Sequence, residues 1–420
     1  MRKWHGITAV LVVIATVLGI VASACAGGGE KAAPPVATGP IIYKMGCPTP
    51  LSGPAAPWGQ AGHDFYQKWI QLFNQAGGFK VGDTTYNVTF TEVDDENTPE
   101  GGAAAAKQLI YGDGCQAIVA YWSWGMPAVQ AVTTPAKIPL LTRTGNEAVP
   151  MSEGGIYDPA KYPYTVFANP SHEQIISDFK AIAKAYPGRM IGIADSTLGK
   201  GPGWDVVDRT LDAAGIKYHH EWYTPAATDY TPYITKFKEA GCGVIYTAGD
   251  IGASFNIAKQ RWDMGYKDIV CGVAGPCVDP SVYNAVVGYD ASQGFIDQYF
   301  GIWDYKDTKI DPAIMAMAKQ VNDDVAKDTG APVVYTGWIG WMPSHMLILT
   351  QAMTKAGSTD PDAIMKAIQG GTFSTTTGTY TMSGAKTYGS PIVFGTPGAL
   401  SQIKGDKEVY LSESPWTPLP

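Results

Sequence analysis

One segment of the sequence has the residue types of a serine nucleophile. Residues 121–125 read Tyr-Trp-Ser-Trp-Gly between a strand-like and a helix-like segment, which is the setting of a nucleophile elbow. That motif requires glycine where Tyr121 stands, because its strained turn tolerates little side-chain bulk. Ser123 would also need a later acid and histidine, and no downstream histidine lies in a clear loop that follows an acid and a strand. A serine hydrolase that uses Ser123 is therefore kept only as an alternative.

Two further segments have the composition of ion-binding loops, one for an anion and one for a metal ion. Residues 199–203 (Gly-Lys-Gly-Pro-Gly) open a predicted helix after a predicted strand, where backbone N–H groups can bind an anion. Their spacing matches neither the Walker motif nor the dinucleotide fingerprint. Asp94, Asp95 and Glu96 follow another predicted strand and are interpreted as a solvated acidic tip rather than a metal site. The sequence therefore predicts no cofactor and no metal.

Aromatic and polar residues gather instead where the predicted strands end. They are Trp58, Ser123, Trp124, residues 142–146, Asp195, Ser196, Asp250 and Cys277. Ligands of open parallel sheets bind outside the carboxyl ends of the strands. Aromatic rings supply apolar walls there, while hydroxyl and backbone N–H groups orient the ligand. These residues favour a binding site over a catalytic one.

Alternating strand and helix patterns must position these residues. Predicted strands cover residues 41–47, 88–93, 117–121, 138–142, 190–194, 218–222, 243–247 and 269–273. Predicted helices cover residues 61–77, 99–112, 172–186, 202–214, 230–240, 254–264, 312–328 and 338–356, with a short helix from Met126. This alternation indicates βαβ units and parallel sheets. The pattern restarts near residue 168, so the sequence predicts two α/β lobes, followed by a Thr-rich, β-like tail.

The first 40 residues have the pattern of an export signal and a tether. Two basic residues precede an apolar run over residues 7–21 and an Ala-Ser-Ala-Cys sequence that ends at Cys25, as in signal peptides. The last four residues resemble the lipobox of bacterial lipoproteins, whose cysteine is lipidated and begins the mature chain. Residues 26–40 are rich in Gly, Ala and Pro, typical of a flexible linker. We therefore predict a lipoprotein signal peptide over residues 1–24 and a tether over residues 25–40.

Composition and charge exclude some classes of function. Of the 420 residues, 45% are hydrophobic, enough for the cores of two or three domains. The net charge is −8 and no basic run occurs, which argues against a nucleic-acid partner. The 49 glycines and 30 prolines suit a tether and the many turns of an α/β body.

Five cysteines follow Cys25 in the sequence: Cys47, Cys115, Cys242, Cys271 and Cys277. An exported compartment permits disulfides, but an odd number leaves at least one thiol outside any intramolecular pair. Cys242 and Cys271 each open a strand-like run, so a disulfide between neighbouring strands is one prediction.

The motifs, taken in order, resemble those of the leucine/isoleucine/valine-type solute-binding proteins of ABC importers. The matching residues are Cys25, Leu51-Ser52-Gly53-Pro54, Trp58-Gly59, Asn74-Gln75-Ala76-Gly77-Gly78, Asp94-Asp95 and Ile138-Pro139-Leu140-Leu141. The resemblance covers roughly residues 41–400. It implies a type I periplasmic binding protein fold, in which two Rossmann-like lobes with parallel sheets close on a ligand like a hinge.

The resemblance also implies where the chain passes between its lobes. Three crossover strands are expected near residues 165–169, 294–299 and 376–380. The predicted parts are lobe 1 at 41–167, lobe 2 at 168–296, a lobe 1 return at 297–375, and a lobe 2 return with the tail at 376–420.

Family position assigns a ligand role to residues of both lobes. In the family, the loop after the third strand binds an amino-acid carboxylate, and here it holds Ser123, Trp124 and Gly125. The next loop contributes Thr144 and Asn146, and Trp58 falls at an aromatic wall position. From the second lobe we expect contacts from Leu198, Asp250 and Cys277.

Two second-lobe positions depart from the family pattern. Asp250 stands near the usual aromatic residue, and Cys277 replaces a glutamate that grips the ligand ammonium. Asp250 could take over the ammonium as a charge-assisted partner. The ligand is therefore left open between an amino acid and a related small amide or carboxylate.

The sequence predicts a lipid-anchored solute-binding protein on the periplasmic or extracellular face of the membrane, with no enzymatic activity. Its expected partners are a small-molecule ligand and an ABC permease. Two alternatives remain: an exported serine hydrolase using Ser123, and a ligand-sensing receptor module of the same fold. The receptor would require a membrane-spanning signalling segment.

Overall fold

The computed structural model describes most of the chain after the predicted tether. The described residues are 39–53, 56–120, 125–143, 158–168, 171–197, 200, 202–224, 227–248, 250–276, 280–299, 310–330, 339–395 and 397–415. The predicted signal peptide and Cys25 lie outside them. Within these ranges, no helix has the length and apolar character needed to cross a membrane.

The described strands fall into a regular alternation with helices. The strands are β1 (Ile41–Thr49), β2 (Phe79–Val81), β3 (Thr84–Asp94), β4 (Ala117–Ala120), β5 (Leu140–Arg143), β6 (Thr165–Ala168), β7 (Met190–Ser196), β8 (Tyr218–Tyr223), β9 (Cys242–Thr247), β10 (Val270–Pro276), β11 (Ile296–Tyr299), β12 (Thr372–Thr375), β13 (Gly378–Thr381), β14 (Val393–Phe394), β15 (Pro397–Lys404) and β16 (Lys407–Pro415). The helices are α1 (Ala56–Ala61), α2 (His63–Gln75), α3 (Pro99–Lys107), α4 (Met126–Thr133), α5 (Ser171–Ala185), α6 (Pro202–Ala213), α7 (Thr231–Glu239), α8 (Ile251–Asp263), α9 (Pro280–Val287), α10 (Tyr289–Ser292), α11 (Pro312–Thr329), α12 (Trp341–Ala356), α13 (Pro361–Ile368) and α14 (Ala385–Tyr388). A π-helical turn over Gln108–Gly112 continues α3.

Two parallel-dominated sheets confirm the predicted α/β class with two lobes. The first sheet has the order β14-β6-β5-β4-β1-β3-β2, and only β2 runs antiparallel to its neighbour. The second has the order β16-β15-β11-β10-β9-β7-β8, in which β15 and β16 form an antiparallel edge. The hairpin β12–β13 stands apart from both.

Helices cover both faces of the first sheet. On one face α2 buries Phe65, Trp69 and Phe73, a stripe at the spacing of one helix face. The other face carries α3 and α4, and there Gly46 of β1 allows close packing. A Cβ at Gly46 would lie 2.7 Å from Leu109 Cδ2.

The second sheet also has helices on both faces. α5 and α6 cover one face around Phe179 and Trp204, and α7, α8 and α9 cover the other around Phe237 and Tyr283. Gly192 of β7 again permits close approach, because its Cβ would lie 2.6 Å from Phe237 Cδ1. Strands buried on both faces account for the apolar runs that the sequence shows.

The third passage between the sheets differs from the prediction. The predicted crossing at residues 376–380 falls in the β12–β13 hairpin, which belongs to neither large sheet. The chain returns to the first sheet at β14 and enters the second sheet only at β15. The Thr-rich hairpin is held by its own hydroxyls, including a Thr376 Oγ1 bond of 2.7 Å to the Gly340 carbonyl.

The strand register excludes the disulfide between Cys242 and Cys271 that the sequence left open. Both residues lie on neighbouring parallel strands, but Cys271 is opposite Ile245, three residues beyond Cys242. Three residues of strand correspond to about 10 Å, more than the ~4.4–6.8 Å between the Cα atoms of a disulfide. Both thiols are free and buried, and burial raises the pKa of Cys242 to about 11.

Candidate functional site

Each parallel sheet has one position where its winding reverses. In the first sheet the chain runs from β1 to β3 and then returns to the other side of β1 as β4. In the second it runs from β7 to β8 and then returns to the other side of β7 as β9. Loops diverge at such a reversal and leave a crevice at the carboxyl ends of the strands, where ligands bind. Trp58 and Gly125 follow β1 and β4, and Leu198 and Asp250 follow β7 and β9.

Asp94 shapes the loop after β1 in the first lobe. Its Oδ1 accepts backbone N–H groups from Leu51 at 2.8 Å, Ser52 at 3.3 Å and Glu96 at 3.0 Å. Desolvation raises the pKa of Asp94, but the bonds from Ser52, Leu51 and Glu96 outweigh it and hold the pKa below its usual value. One carboxylate thereby fixes the paths of two neighbouring loops.

The turn from β3 into α3 is strained. Glu96 and Asn97 have φ values of 52° and 53°, a left-handed conformation that is uncommon for residues other than glycine. Asp95 Oδ1 accepts the Asn97 N–H at 2.9 Å, and Thr98 Oγ1 caps α3 by accepting the Gly101 N–H at 3.0 Å. A Cβ at Gly101 would lie only 2.1 Å from the Asp95 carbonyl oxygen. Strain that surrounding contacts enforce is characteristic of functional sites.

Gly125 lies against this strained turn. Its φ is 73°, and a Cβ there would lie 2.7 Å from Pro99 Cα and 3.2 Å from the Thr98 carbonyl oxygen. Glycine is therefore required both for backbone conformation and for space. The end of the loop before α4 is consequently seated beside the amino terminus of α3.

In the second lobe, Asp195 is a buried acid near the end of β7. It is 4% exposed, and its Oδ1 accepts the Ser196 N–H at 2.7 Å. Burial is the main cause that raises its pKa to about 7, and repulsion by Asp250 adds to it. Hydrogen bonds from Ser196 and the Trp204 side chain oppose the rise.

Asp250 joins the end of β8 to the start of α8. Its Oδ2 accepts the Tyr223 hydroxyl at 3.0 Å, and its Oδ1 caps α8 by accepting the Ala253 N–H at 2.9 Å. Within the described part of the chain, each carboxylate oxygen has one hydrogen-bond partner, and a carboxylate oxygen can accept a second bond. A ligand cation would therefore find Asp250 already oriented.

An aromatic stack lies beside Asp195. The His220 ring centroid is 4.1 Å from that of Trp222 and 4.5 Å from that of Trp204. Lys200 Nζ lies 5.7 Å from the Trp222 ring centre, within cation–π range. Burial lowers the pKa of His220 to about 4, so the imidazole is neutral at pH 7.

The structure describes only part of the predicted ligand set. Gly125 and Asp250 lie at the winding reversals of their sheets, and the backbone of Trp58 lies in α1. The remaining predicted ligand residues lie outside the described part of the chain: Ser123, Trp124, Thr144, Asn146, Leu198 and Cys277. Their ligand role stays a prediction.

Two interpretations of the sequence change with the structure. The expected solvated acidic tip is wrong for Asp95, which is 3% exposed, and Asp94 accepts backbone N–H groups, whereas Glu96 is exposed as expected. Sequence reasoning also missed Tyr223 as the partner of Asp250, since 27 positions separate the two residues. The only available signal was that each follows or ends a predicted strand. Among the described residues, no group of three His, Cys, Asp or Glu side chains is placed to hold a metal ion.

One described cavity lies away from these edges. It is open, measures about 540 Å³, and is lined in part by Phe73, Phe79, Leu347 and Lys355. Phe79 is opposite Tyr86 near the start of β3, so the cavity lies toward the amino end of the first sheet. It takes no part in the candidate site.

Two doubly wound lobes with built loops at their carboxyl edges define the fold class of type I periplasmic binding proteins. The chain belongs to the periplasmic binding protein family, whose model matches residues 42–405. The resemblance seen in the sequence is thereby confirmed.

Relatives with curated names share a quarter of their residues with this chain. Leu/Ile/Val-binding protein homolog 3 of Brucella melitensis is 25% identical over 361 residues, which cover 83% of this chain and 89% of the relative. The leucine-, isoleucine-, valine-, threonine-, and alanine-binding protein of Pseudomonas aeruginosa is 25% identical, with 80% and 84% covered.

Solved structures share the fold at lower identity. A solute-binding protein of an ABC transporter from Rhodopseudomonas palustris, in complex with p-hydroxybenzoic acid, gives a TM-score of 0.67 at 20% identity, covering 90% of this chain and 98% of that one. The leucine binding protein LivK from Thermotoga maritima gives 0.65 at 12% identity, covering 88% and 98%.

Proposed function

We propose that this protein is an extracytoplasmic solute-binding protein that captures an amino acid or a small aromatic acid and delivers it to an ABC permease. The observation that carries the proposal is the pair of winding reversals, each with ordered polar groups at its carboxyl edge, in a chain of this family. A ligand that contacts both lobes would shift the equilibrium from open to closed. The lobes would bind and release their ligand without a chemical step.

The proposed ligand site combines both edges. Trp58, Ser123, Trp124, Gly125, Thr144 and Asn146 would contribute from the first lobe, and Leu198, Asp250 and Cys277 from the second. Gly125 supports this assignment because its close fit to α3 fixes the end of its loop. Asp250 supports it because Tyr223 and the start of α8 hold its carboxylate in place.

The two ligand classes differ in how they would meet the second lobe. Asp195 has a pKa of about 7, and Asp250 lies close enough to repel it. An ammonium ligand would favour ionised Asp195, so its affinity would rise with pH between 6 and 8. An aromatic carboxylate without an ammonium would favour neutral Asp195, so its affinity would fall over the same range.

A thermal-shift screen tests the proposal directly. The purified protein would be heated with a panel of amino acids, amides and aromatic acids, and ligand released from the protein would be identified by mass spectrometry. We expect at least one class to raise the melting temperature by mass action. Calorimetric titrations of that ligand at pH 6, 7 and 8 then assign its class. If no compound stabilises the protein and none is released, the proposal fails.

We further propose that Cys25 carries a lipid that holds the protein at the membrane. The support is the signal-peptide pattern and the Ala-Ser-Ala-Cys sequence. Mass spectrometry of the mature protein should show a chain that begins at Cys25 with an acyl modification. A Cys25→Ala variant should lose the acyl mass and leave the membrane fraction. No observation favours the hydrolase alternative.

A further inference from the structure

A buried carboxylate in the second lobe has an unusual set of partners. Asp178 of α5 is 1% exposed. Its Oδ1 accepts the Ser414 hydroxyl at 2.6 Å. Its Oδ2 accepts the Tyr246 hydroxyl at 3.3 Å and the Gln298 side-chain amide N–H. One side chain thus joins α5 to β9, β11 and β16.

Three of these elements adjoin the passages between the sheets. The chain leaves the first sheet after β6 and begins α5 at Ser171. Gln298 is the penultimate residue of β11, after which the chain leads to α11, and α11 packs against α2 of the first lobe. Ser414 lies opposite Gly398, the second residue of β15, which the chain enters from β14.

The chemistry of this cluster makes it stiff. Each of the three named partners donates an O–H or N–H group to the Asp178 side chain, whose two oxygens offer several acceptor positions. Removing the carboxylate would leave three buried donors without their acceptor, which is unfavourable for each of them.

We propose that Asp178 is a positioning residue for ligand binding, because it fixes the second-lobe ends of all three interlobe passages relative to one another. With those ends held together, the lobes can move only as a hinge about the passages. Asp178 itself belongs to α5 and needs no contact with the ligand. The effect on ligand binding rests on the proposed function, whereas the structural role of Asp178 at the three passages does not.

Hydrogen exchange of the unliganded protein tests directly whether Asp178 holds the second-lobe ends of the three passages together. In Asp178→Asn, we expect amides of residues 165–171, 296–299 and 393–400 to exchange about tenfold faster than in the unsubstituted protein, through local opening. Arg261→Met is the matched control. Arg261 is also buried, donates to the Ala291 carbonyl at 3.1 Å, and lies on the opposite face of the second sheet. It should speed exchange in α8 and α10 but not at the passages.

Calorimetry and stopped-flow kinetics test the consequence for binding, with L-leucine and 4-hydroxybenzoate as probes. For whichever probe binds, Asp178→Asn should weaken affinity about tenfold through faster dissociation, since the closed form is less well held. Arg261→Met should leave affinity within about twofold. Ser414→Ala removes one of the three bonds and should give a smaller change in the same direction.

The outcomes separate the two proposals. Faster exchange confined to α5, with the three passages unchanged, overturns the role of Asp178. Equal losses of affinity in Asp178→Asn and Arg261→Met overturn it as well, because they would reflect general destabilisation. If neither probe binds the unsubstituted protein, neither is its ligand, the panel screen decides on the proposed function, and exchange alone decides on Asp178. If Asp178→Asn does not fold, Ser414→Ala and Tyr246→Phe carry the same measurements.

Discussion

The carboxyl edges of the two sheets are built by different means. In the first lobe Asp94 accepts backbone N–H groups from two loops, and Gly101 and Gly125 allow the backbone segments to touch. In the second lobe the acids accept hydrogen bonds from aromatic side chains: Asp195 from Trp204 and Asp250 from Tyr223. The first edge is therefore fixed by one carboxylate that accepts backbone N–H groups and by close backbone contacts, while the second includes Asp195, whose pKa burial raises to about 7.

The contrast has a chemical meaning for ligand capture. At the first edge the N–H groups of Leu51, Ser52 and Glu96 are bonded to Asp94, whose pKa lies below its usual value, so this carboxylate keeps its charge near neutrality. A buried acid with a raised pKa changes its charge near neutrality. The second edge is accordingly where pH and ligand charge should act.

Gly101→Ala should lower the free energy of unfolding the most, because it adds a side chain at a close backbone contact of the first edge. A Cβ would lie 2.1 Å from the Asp95 carbonyl oxygen, and neither atom belongs to a flexible side chain. We expect the free energy of unfolding to fall by about 3 kcal/mol or more, measured by urea denaturation. Gly252→Ala in α8 is the control, since its nearest neighbour is 3.5 Å away, and it should cost no stability. Equal losses in both variants would contradict the backbone account.

Asp195→Asn should have the next largest effect on the free energy of unfolding, and the size of that effect should depend on pH. The folded pKa of about 7 lies above the ordinary value of about 3.9, so the folded state holds the proton more tightly. Stability contributed by Asp195 is thus greatest at low pH and declines as pH rises toward 7. The variant should gain about 1–2 kcal/mol relative to the unsubstituted protein on going from pH 5 to pH 8, followed by urea denaturation at each pH. A gain that does not depend on pH would count against titration of Asp195.

Asp94→Ala should show the opposite pH dependence of stability to Asp195→Asn. Its folded pKa is lowered, so its contribution is present above the unfolded pKa and is lost as pH falls through the folded value. At pH 7 the variant should lose about 1–2 kcal/mol, as expected for backbone donors left without an acceptor. Thermal denaturation at pH 7 and pH 3 should show this difference shrinking in acid. A loss that grows in acid would reverse the assigned sign.

His220→Phe should have the smallest effect. His220 has a folded pKa of about 4, below its ordinary value of about 6.5, so protonation of the unfolded chain destabilises the fold as pH falls below 6.5. Phenylalanine keeps an aromatic ring against both Trp204 and Trp222, and the variant should gain about 1 kcal/mol of stability at pH 5 with little change at pH 8. Melting temperatures at both pH values check this. His219→Phe is the control, because the His219 side chain is 36% exposed and bonds to Glu221 at 2.9 Å.

Much of the framework could be predicted from local patterns. Apolar runs such as Ala117–Ala120 and the stripe of α2 identify buried parallel strands and their covering helices, because periodicity reports burial directly. Gly125 was assigned to the ligand loop by its family position, and that role stays a prediction. By contrast, β14 spans only Val393–Phe394, which is too short to show any period.

Long-range partners could not be predicted from the sequence. Asp178 accepts hydrogen bonds from Ser414, 236 positions away, and from Tyr246, 68 positions away. No local sequence pattern predicts either contact. Asp95 has the appearance of a surface acid until the turn that buries it is known. Residue type alone therefore misjudges acids whose burial is decided by backbone geometry.

The outermost strand of the second sheet has a consequence for solubility. The register of β15 and β16 shifts between Leu400 and Ser401, so Leu411 forms a bulge that disturbs an otherwise regular edge. Lys407, Glu408 and Glu413 place charges along the same strand. Bulges and charges discourage an edge from pairing with a strand of another molecule. The bulge and the charges along β16 should therefore hinder two copies of this protein from joining their second sheets edge to edge.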